Sequence, residues 1–502
     1  MLQVFNSLGR TKQPFEPLRE GLVGIYVCGP TVYGDSHVGH AKSYVSFDVI
    51  VRYLRHAGYR VRYVQNITDV GHLTDNADAG EDKVGEKARA LGIQPMEVAE
   101  RYTRSYFEDM DALNVLRPDI SPRASGHIPE QIELVRTLLD KGHAYEVNGS
   151  VYFDVTSFPQ YGKLSGRRLD EIVQGARVEV SEDKRHPADF ALWKRAEPGH
   201  IMRWNSPWGV GFPGWHLECS VMSMKYLGET LDIHGGGLEN IFPHHEDEVA
   251  QSECATGKPF VRYWLHNNMV TVGGQKMGKS LGNFITLKDA FAGNPPLGVP
   301  VRPLVVRYFV LTSHYRSPLD FSPEALEAAR KGLERIEQAA SELRRRLQLV
   351  PPAPPYGGQG AVPPQVAGLV EQARKDFMAE MDDDFNTAGA LGQLGKFTRE
   401  VNRLLDSGEA LPATALAALD GLYQELGEGV LGILRDVDAG AQPAVGRGAR
   451  GLEAQLIEAL IETRARLRQA RQFELADAVR RQLADLGIEL KDGPERTTWS
   501  YK

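Results

Sequence analysis

Cys28-Gly29-Pro30-Thr31-Val32-Tyr33-Gly34-Asp35-Ser36-His37-Val38-Gly39-His40 lies between two segments of different hydrophobic period. Before it, residues 22–27 are rich in β-branched and aromatic side chains and read as a short buried strand. After it, Val38, Ala41, Val45, Val49 and Tyr53 recur at helical spacing as far as Gly58, a suitable stop. Asp35 or Ser36 is placed to cap that helix by accepting from a free backbone N–H. Residues 59–66 alternate again. Strand, Gly/Pro loop, helix and strand predict a βαβ unit with a right-handed crossover. Ligands of such sheets bind at the carboxyl ends of the strands, where this loop lies. His37 and His40 are three apart on the first helical turn, where free N–H groups and the dipole favour phosphate. Gly39 between them leaves room for a close ligand. Taken alone, HxGH also reads as a polar helix start with two incidental histidines.

A second stretch changes that balance. Lys276-Met277-Gly278-Lys279-Ser280 follows Val270-Thr271-Val272-Gly273-Gly274, a strand ending in a glycine turn. Two lysines three apart in a glycine-rich loop form a cationic clamp of the kind that neutralises transferring phosphates. Together the two stretches resemble the paired signatures of class I aminoacyl-tRNA synthetases. Further segments narrow the likeness: Gly214-Trp215-His216-Leu217-Glu218-Cys219-Ser220, Asp232-Ile233-His234-Gly235-Gly236-Gly237, Phe242-Pro243-His244-His245-Glu246-Asp247-Glu248 and Asp492-Gly493-Pro494 with Thr497-Thr498-Trp499. With Cys28–Tyr33 they resemble the cysteinyl-tRNA synthetase family over the whole chain. The sequence departs from it at Gly278, where the family has serine; a hydroxyl is lost and the loop loosened, while both lysines remain.

No CxxC spacing announces a metal. His244 and Glu248 are four apart on a helix opened by Pro243 and share a face; Cys28 ends the first strand, and Cys219 lies in a segment expected to reach the same crevice. The resemblance implies one Zn2+ per chain on Cys28, Cys219, His244 and Glu248, with His216, His234 and His245 as competitors. It also implies L-cysteine, ATP with Mg2+ and tRNA-Cys as substrates. His37, His40, Lys276 and Lys279 become the catalytic groups, and Gly39, His40, His234, Gly236, Lys276 and Lys279 the ATP site. Thr68, Trp215 and His234 become the cysteine site. Cys254 reads as a buried, apolar-like cysteine.

The expected fold is α/β: a Rossmann-like parallel-sheet catalytic domain (1–114 plus 206–320) with a connective insertion (115–205), then an α-helical bundle (321–436), a linker (437–450) and a small C-terminal domain (451–502). Within the insertion, Asn148-Gly149 between alternating runs signals a hairpin. Residues 350–365, with six prolines and three glycines, read as a linker or long loop. The Asp382–Asp384 run reads as a solvated helix end. In the last domain, Arg464, Arg468 and Arg471 at i, i+4 and i+7 give one basic helical face, and Trp499 is placed to stack on a base. Its bland alternative is a core tryptophan.

Net charge is −8, awkward for a tRNA-binding protein, because such affinity rests on neutralised phosphates. The charge is uneven: residues 447–502 hold eleven Lys/Arg against nine Asp/Glu, so the tail is positive and local patches must do the binding. No run of 18 apolar residues occurs, so no membrane span is expected. Three cysteines are too few for a disulfide scaffold. A cytoplasmic monomer is expected. A related ligase that joins cysteine to an amino sugar shares the core motifs; the helical bundle and basic tail argue against it. Intact HxGH and clamp lysines argue against a catalytically dead homologue.

Overall fold

The computed structural model describes the chain except residues 74–81, 172–182, 279–280, 350–360, 436–449, 471, 486–487, 493–496 and 502. It divides into two compact units, Met1–Asp438 and Ala439–Lys502.

In the first unit a four-stranded parallel sheet runs in the order Val261–Asn267, Leu231–Gly237, Leu22–Val27, Arg60–Gln65. Every residue of Leu231–Gly237 is buried, as a central parallel strand covered on both faces requires. The strand that follows Leu22–Val27 in the chain lies on one side of it, and Leu231–Gly237 lies on the other. Chain order therefore reverses there, and a crevice opens at the carboxyl ends. The helix Val38–His56 follows the first strand. Its cap is neither Asp35 nor Ser36 but His37, whose Nδ1 accepts from the Gly39 N–H at 3.1 Å. An imidazole nitrogen at that position reaches the same orphan N–H that a carboxylate would.

Between the halves of the sheet, a five-stranded antiparallel sheet takes the order Ala144–Val147, Ser150–Phe153, Phe190–Arg195, Gly209–Pro213, Trp204–Ser206. Asn148 and Gly149 both have positive φ (54° and 83°), the two-residue hairpin turn that Asn-Gly favours. This sheet continues to Pro213, past the expected limit at 205, because Gly209–Pro213 pairs with Phe190–Arg195.

The helices Pro323–Leu349, Pro364–Met381, Thr387–Asp406 and Ala413–Leu422 form the bundle and share one apolar core with the parallel sheet. The Asp382–Asp384 run is not solvated throughout. Asp384 is fully buried, accepts from the Phe5 N–H and the Tyr315 hydroxyl through Oδ1, and from Arg316 Nε through Oδ2.

The second unit packs the helices Arg450–Gln469 and Phe473–Asp485 with a hairpin, Ile488–Asp492 against Thr497–Tyr501. Ile457, Ile461, Leu483, Ile488 and Leu490 make its core.

Candidate active site and metal centre

At the carboxyl ends of the two central strands lies a cavity of about 160 Å³ lined by Cys28, His40, Thr68, Trp215, Cys219 and Gly236 among others. The expected cysteine-site residues Thr68 and Trp215 therefore meet in it. Thr68 Oγ1 donates to Glu218 Oε2 and accepts from Asn66 Nδ2, both at 3.0 Å; Asn66 Oδ1 in turn accepts from the Gly29 N–H at 2.8 Å. This buried relay fixes the loop that presents Cys28. Sequence reasoning gave no role to Asn66 or to Glu218, although the latter lies in a quoted segment, because neither stands at a spacing that points to its partner.

His234 does not line the cavity. It is fully buried, with Nε2 2.8 Å from Glu248 Oε2, so it stands behind the Glu248 carboxylate and outside the cavity lining. Gly236 does reach the cavity, and a Cβ there would fall 2.8 Å from the His245 ring, so imidazole packing alone demands glycine.

Of the four expected zinc ligands, Cys28, His244 and Glu248 come together, and Cys219 adjoins them through Cys28. Cys28 Sγ lies 3.9 Å from Cys219 Sγ and 4.0 Å from Glu248 Oε1, and His244 Nε2 lies 3.2 Å from the same carboxylate oxygen. Zinc–sulfur bonds of about 2.3 Å and zinc–nitrogen bonds of about 2.0 Å in a tetrahedron separate ligand atoms by about 3.3–3.8 Å, and these three separations lie close to that range. The chemistry fits as well. Burial pushes the Cys28 and Cys219 thiols and the Glu248 carboxyl up. Three such groups cannot all be anionic in an apolar interior without a cation.

His245 also belongs to the group, contrary to its expected place as a mere competitor: its Nε2 is 3.2 Å from Cys28 Sγ. Ligand atoms of Cys28, His244, His245 and Glu248 all fall within 4.8 Å of one another. His244 and His245 stand four and three residues before Glu248, and both spacings bring a side chain onto the Glu248 face of a helix; the kink lies earlier, at Phe242, whose φ/ψ are not helical. His216, the other competitor, acts from behind: its Nδ1 is 2.8 Å from His244 Nδ1 and its Nε2 is 3.4 Å from Asp247 Oδ2. Asp247 also accepts from the Tyr161 hydroxyl. Such partners orient metal-binding imidazoles.

His37 and His40 are stacked, ring centroids 3.8 Å apart, and the His37 N–H donates to His40 Nδ1 at 3.2 Å. Burial, with His37 alongside, pushes the His40 pKa well down. A Cβ on Gly39 would lie 2.9 Å from the His37 ring, so Gly39 makes room first for its neighbour. The lysine loop is a hairpin, Val270–Val272 against Gln275–Lys276, turned by Gly273 and Gly274 with φ of 59° and 74°. The segment that follows it meets the histidine pair: Phe284 packs edge-on against His37 at 5.2 Å, and Val38 N donates to Ile285 O. Lys276 is exposed on the hairpin; Lys279 lies outside the described residues.

The basic face is not continuous. Arg464 is 2% exposed and so does not present its charge to solvent, Arg468 is exposed, and Arg471 lies outside the described residues. Trp499 sits in the strand Thr497–Tyr501 opposite Leu490. Cys254 is buried, its thiol pushed up to about 12 by desolvation.

Burial lowers His234 and His266 to about 3. Each is protonated near pH 6.5 in the unfolded chain, so below that pH the unfolded state binds more protons and stability falls. The expected loss is about 1.4 kcal/mol per pH unit for each histidine between pH 6.5 and 3. Urea unfolding at pH 7 and 5 measures the net effect, to which Glu248, pushed up by burial, contributes with the opposite sign; a pH dependence unchanged in His266→Gln would show that this ring protonates without unfolding.

A parallel sheet with its crevice at the point where strand order reverses, an HxGH helix start and a lysine hairpin packed against it define the class I aminoacyl-tRNA synthetase catalytic domain. The family model "tRNA synthetases class I (C) catalytic domain" matches residues 14–331, and the DALR domain model matches residues 376–435. Among curated proteins, the cysteine–tRNA ligase of Chlorobium luteolum is 54% identical, covering 99% of each chain, and that of Thermus thermophilus is 49% identical, again covering 99% of each. The chain belongs to the cysteine–tRNA ligase family. Among solved structures, methionyl-tRNA synthetase of Mycobacterium tuberculosis with methionyl-adenylate shares the fold at 17% identity. Its TM-score is 0.56, over 81% of this chain and 91% of that one. A putative arginyl-tRNA synthetase of Campylobacter jejuni aligns with TM-score 0.53 at 13% identity, over 84% and 93%.

Proposed function

We propose that the protein activates L-cysteine with ATP and transfers the cysteinyl group to the terminal ribose of tRNA-Cys. The observation that carries this reading is a small cavity walled by Cys28, Cys219 and His244 that opens beside His40, with the Glu248 carboxylate close to Cys28 and His244. Cys28, Cys219, His244 and Glu248 would hold one Zn2+, with His245 beside them; bound there, the ion supplies a soft site for the substrate thiol. Thr68 and Trp215 orient the amino acid so that its carboxylate oxygen attacks the α-phosphorus of Mg2+-ATP and the bond to pyrophosphate breaks. His37 and His40 stabilise charge developing on the α-phosphate; Lys276 and Lys279 hold the departing pyrophosphate. A ribose hydroxyl then attacks the acyl carbon, AMP leaves, and the hydroxyl proton is released with it. The enzyme works as a cytoplasmic monomer in this reading. Cysteine-dependent exchange of pyrophosphate into ATP, followed by charging of tRNA-Cys, tests it; an enzyme that exchanges with another amino acid and not with cysteine would overturn it.

The antiparallel sheet serves as the connective insertion beside the tRNA acceptor end, the bundle contacts the tRNA stem, and residues 451–502 bind the anticodon. In support, the last unit has its own core and a positive balance of charge. Deleting 451–502 is expected to leave pyrophosphate exchange within about twofold while charging of tRNA falls at least about tenfold, since lost phosphate contacts weaken tRNA alone. Equal charging by both forms would remove the anticodon role.

A further inference from the structure

His72, which belongs to none of the sequence signatures, lies against the substrate cavity and is held from three sides. Its ring stacks on Trp215, centroids 3.9 Å apart and planes 7° apart. Its Nε2 lies 2.7 Å from Lys83 Nζ, and its Nδ1 lies 2.6 Å from Thr31 Oγ1. Its backbone carbonyl accepts from the Lys83 N–H at 3.0 Å, and the neighbouring Gly71 N–H is tied to Asp82 Oδ2 at 2.8 Å. Trp215 and Thr31 both line the cavity, whereas His72 does not.

The chain of bonds has a fixed direction. A lysine ammonium only donates, so His72 Nε2 accepts from Lys83, and the proton of the neutral ring sits on Nδ1, where it donates to Thr31 Oγ1. The Thr31 hydroxyl, accepting from His72, keeps its own proton for an acceptor in the cavity. Lys83 itself lies 5.9 Å from the Tyr33 ring centroid, which ties its head to the same loop as Thr31. The indole is fixed at the same time, because Trp215 also stacks on His244 with centroids 4.1 Å apart. One imidazole thus sets both the orientation of an aromatic wall and the polarity of a hydroxyl.

We propose that His72, oriented by Lys83, is a positioning residue for the amino-acid half of the site: it aligns Trp215 and turns the Thr31 hydroxyl into a hydrogen-bond donor toward the bound amino acid. This rests on the activity proposed above. The cavity it serves also takes in His40, but His72 bonds and stacks with Thr31, Lys83 and Trp215 on the amino-acid side, so its loss is expected to fall on the amino-acid substrate.

Three variants divide the two roles. His72→Ala removes ring and bonds, His72→Phe keeps a stacking ring without the bonds, and Lys83→Met keeps the imidazole but removes the donor that fixes its tautomer. In pyrophosphate exchange, His72→Ala is expected to raise KM for cysteine at least about tenfold, since a misplacement of about 1 Å in a site costs up to 10²-fold. His72→Phe and Lys83→Met should raise it by smaller factors. KM for ATP and the zinc content should stay within about twofold in all three, a split that general destabilisation would not produce. Calorimetric titration with L-cysteine alone separates this proposal from the activity: a wild-type protein that binds cysteine without exchanging would refute the activity, while weakened binding in the variants would still uphold His72. Unchanged KM and affinity for cysteine in His72→Ala, or a parallel rise in KM for ATP, would overturn the positioning role.

Discussion

Asp48→Ala is expected to lower the unfolding free energy by about 3–5 kcal/mol, the cost of removing one partner from a buried ion pair. The Asp48 side chain is fully buried. Its Oδ2 accepts from Arg307 Nη2 and, at 2.8 Å, from Arg52 Nε, while Oδ1 accepts from the Leu116 N–H at 2.8 Å. Arg307 donates further to the carbonyls of Leu431 at 2.7 Å and of Leu113 and Asn114 at 3.0 Å. Burial lowers its pKa only to about 10, so it stays charged at neutral pH. One carboxylate therefore ties the helix that carries His40 to the chain at 113–116, to the helix Pro303–Leu311 and to the end of the bundle. Removal leaves two guanidinium groups facing each other with no anion. Asp48→Asn, which keeps an acceptor for the Leu116 N–H, should cost less. Urea unfolding of both variants is the measurement; a loss below about 1 kcal/mol for the alanine would show that the carbonyls alone carry the two arginines.

None of that network is legible in the sequence, because Arg307 and Asp48 are 259 residues apart and neither belongs to a periodic pattern. What is legible follows from short-range physics. The change of hydrophobic period around residues 28–40 fixes a strand, a loop and a helix, and the strand end places Cys28 in the crevice. Lysines three apart behind a Gly-Gly turn fix a hairpin. Where several local solutions compete, sequence reasoning chose wrongly or stopped short. Asp35 and Ser36 are better caps by propensity than His37, yet the imidazole took the position. His244 and His245, four and three residues before Glu248, both fall on its helical face, and spacing alone could not choose between them. The aspartates at 382–384 look solvated until the N-terminal strand at Gln3–Asn6 is placed beside them. His72 gave no signal at all, since its partners Thr31, Lys83 and Trp215 come from three segments of the chain.

The other large effect is expected at the metal centre. Serine and cysteine differ by one atom, and a cavity that is merely complementary in shape separates such near-isosteres poorly, by about 10² at most. A thiolate is a far better ligand than a hydroxyl for a soft cation at neutral pH, so discrimination by chemistry asks little of the shape. Cys219→Ser separates the two possibilities, because it preserves the wall of the cavity almost atom for atom while removing one of the two sulfur donors that lie 3.9 Å apart. Loss of a partner behind a metal ligand typically costs 10–100-fold in metal affinity, and loss of a ligand itself must cost more. The expected outcome is a fall in bound zinc from about one per chain, together with a drop of at least about 100-fold in kcat/KM for cysteine in pyrophosphate exchange. The wild-type protein loaded with Co2+ in place of zinc should gain a sulfur-to-metal charge-transfer band when cysteine is added and no such band with serine. Shape would be the basis of selection, and the metal an accessory, if Cys219→Ser lost its zinc and still exchanged pyrophosphate with cysteine in preference to serine at the wild-type ratio.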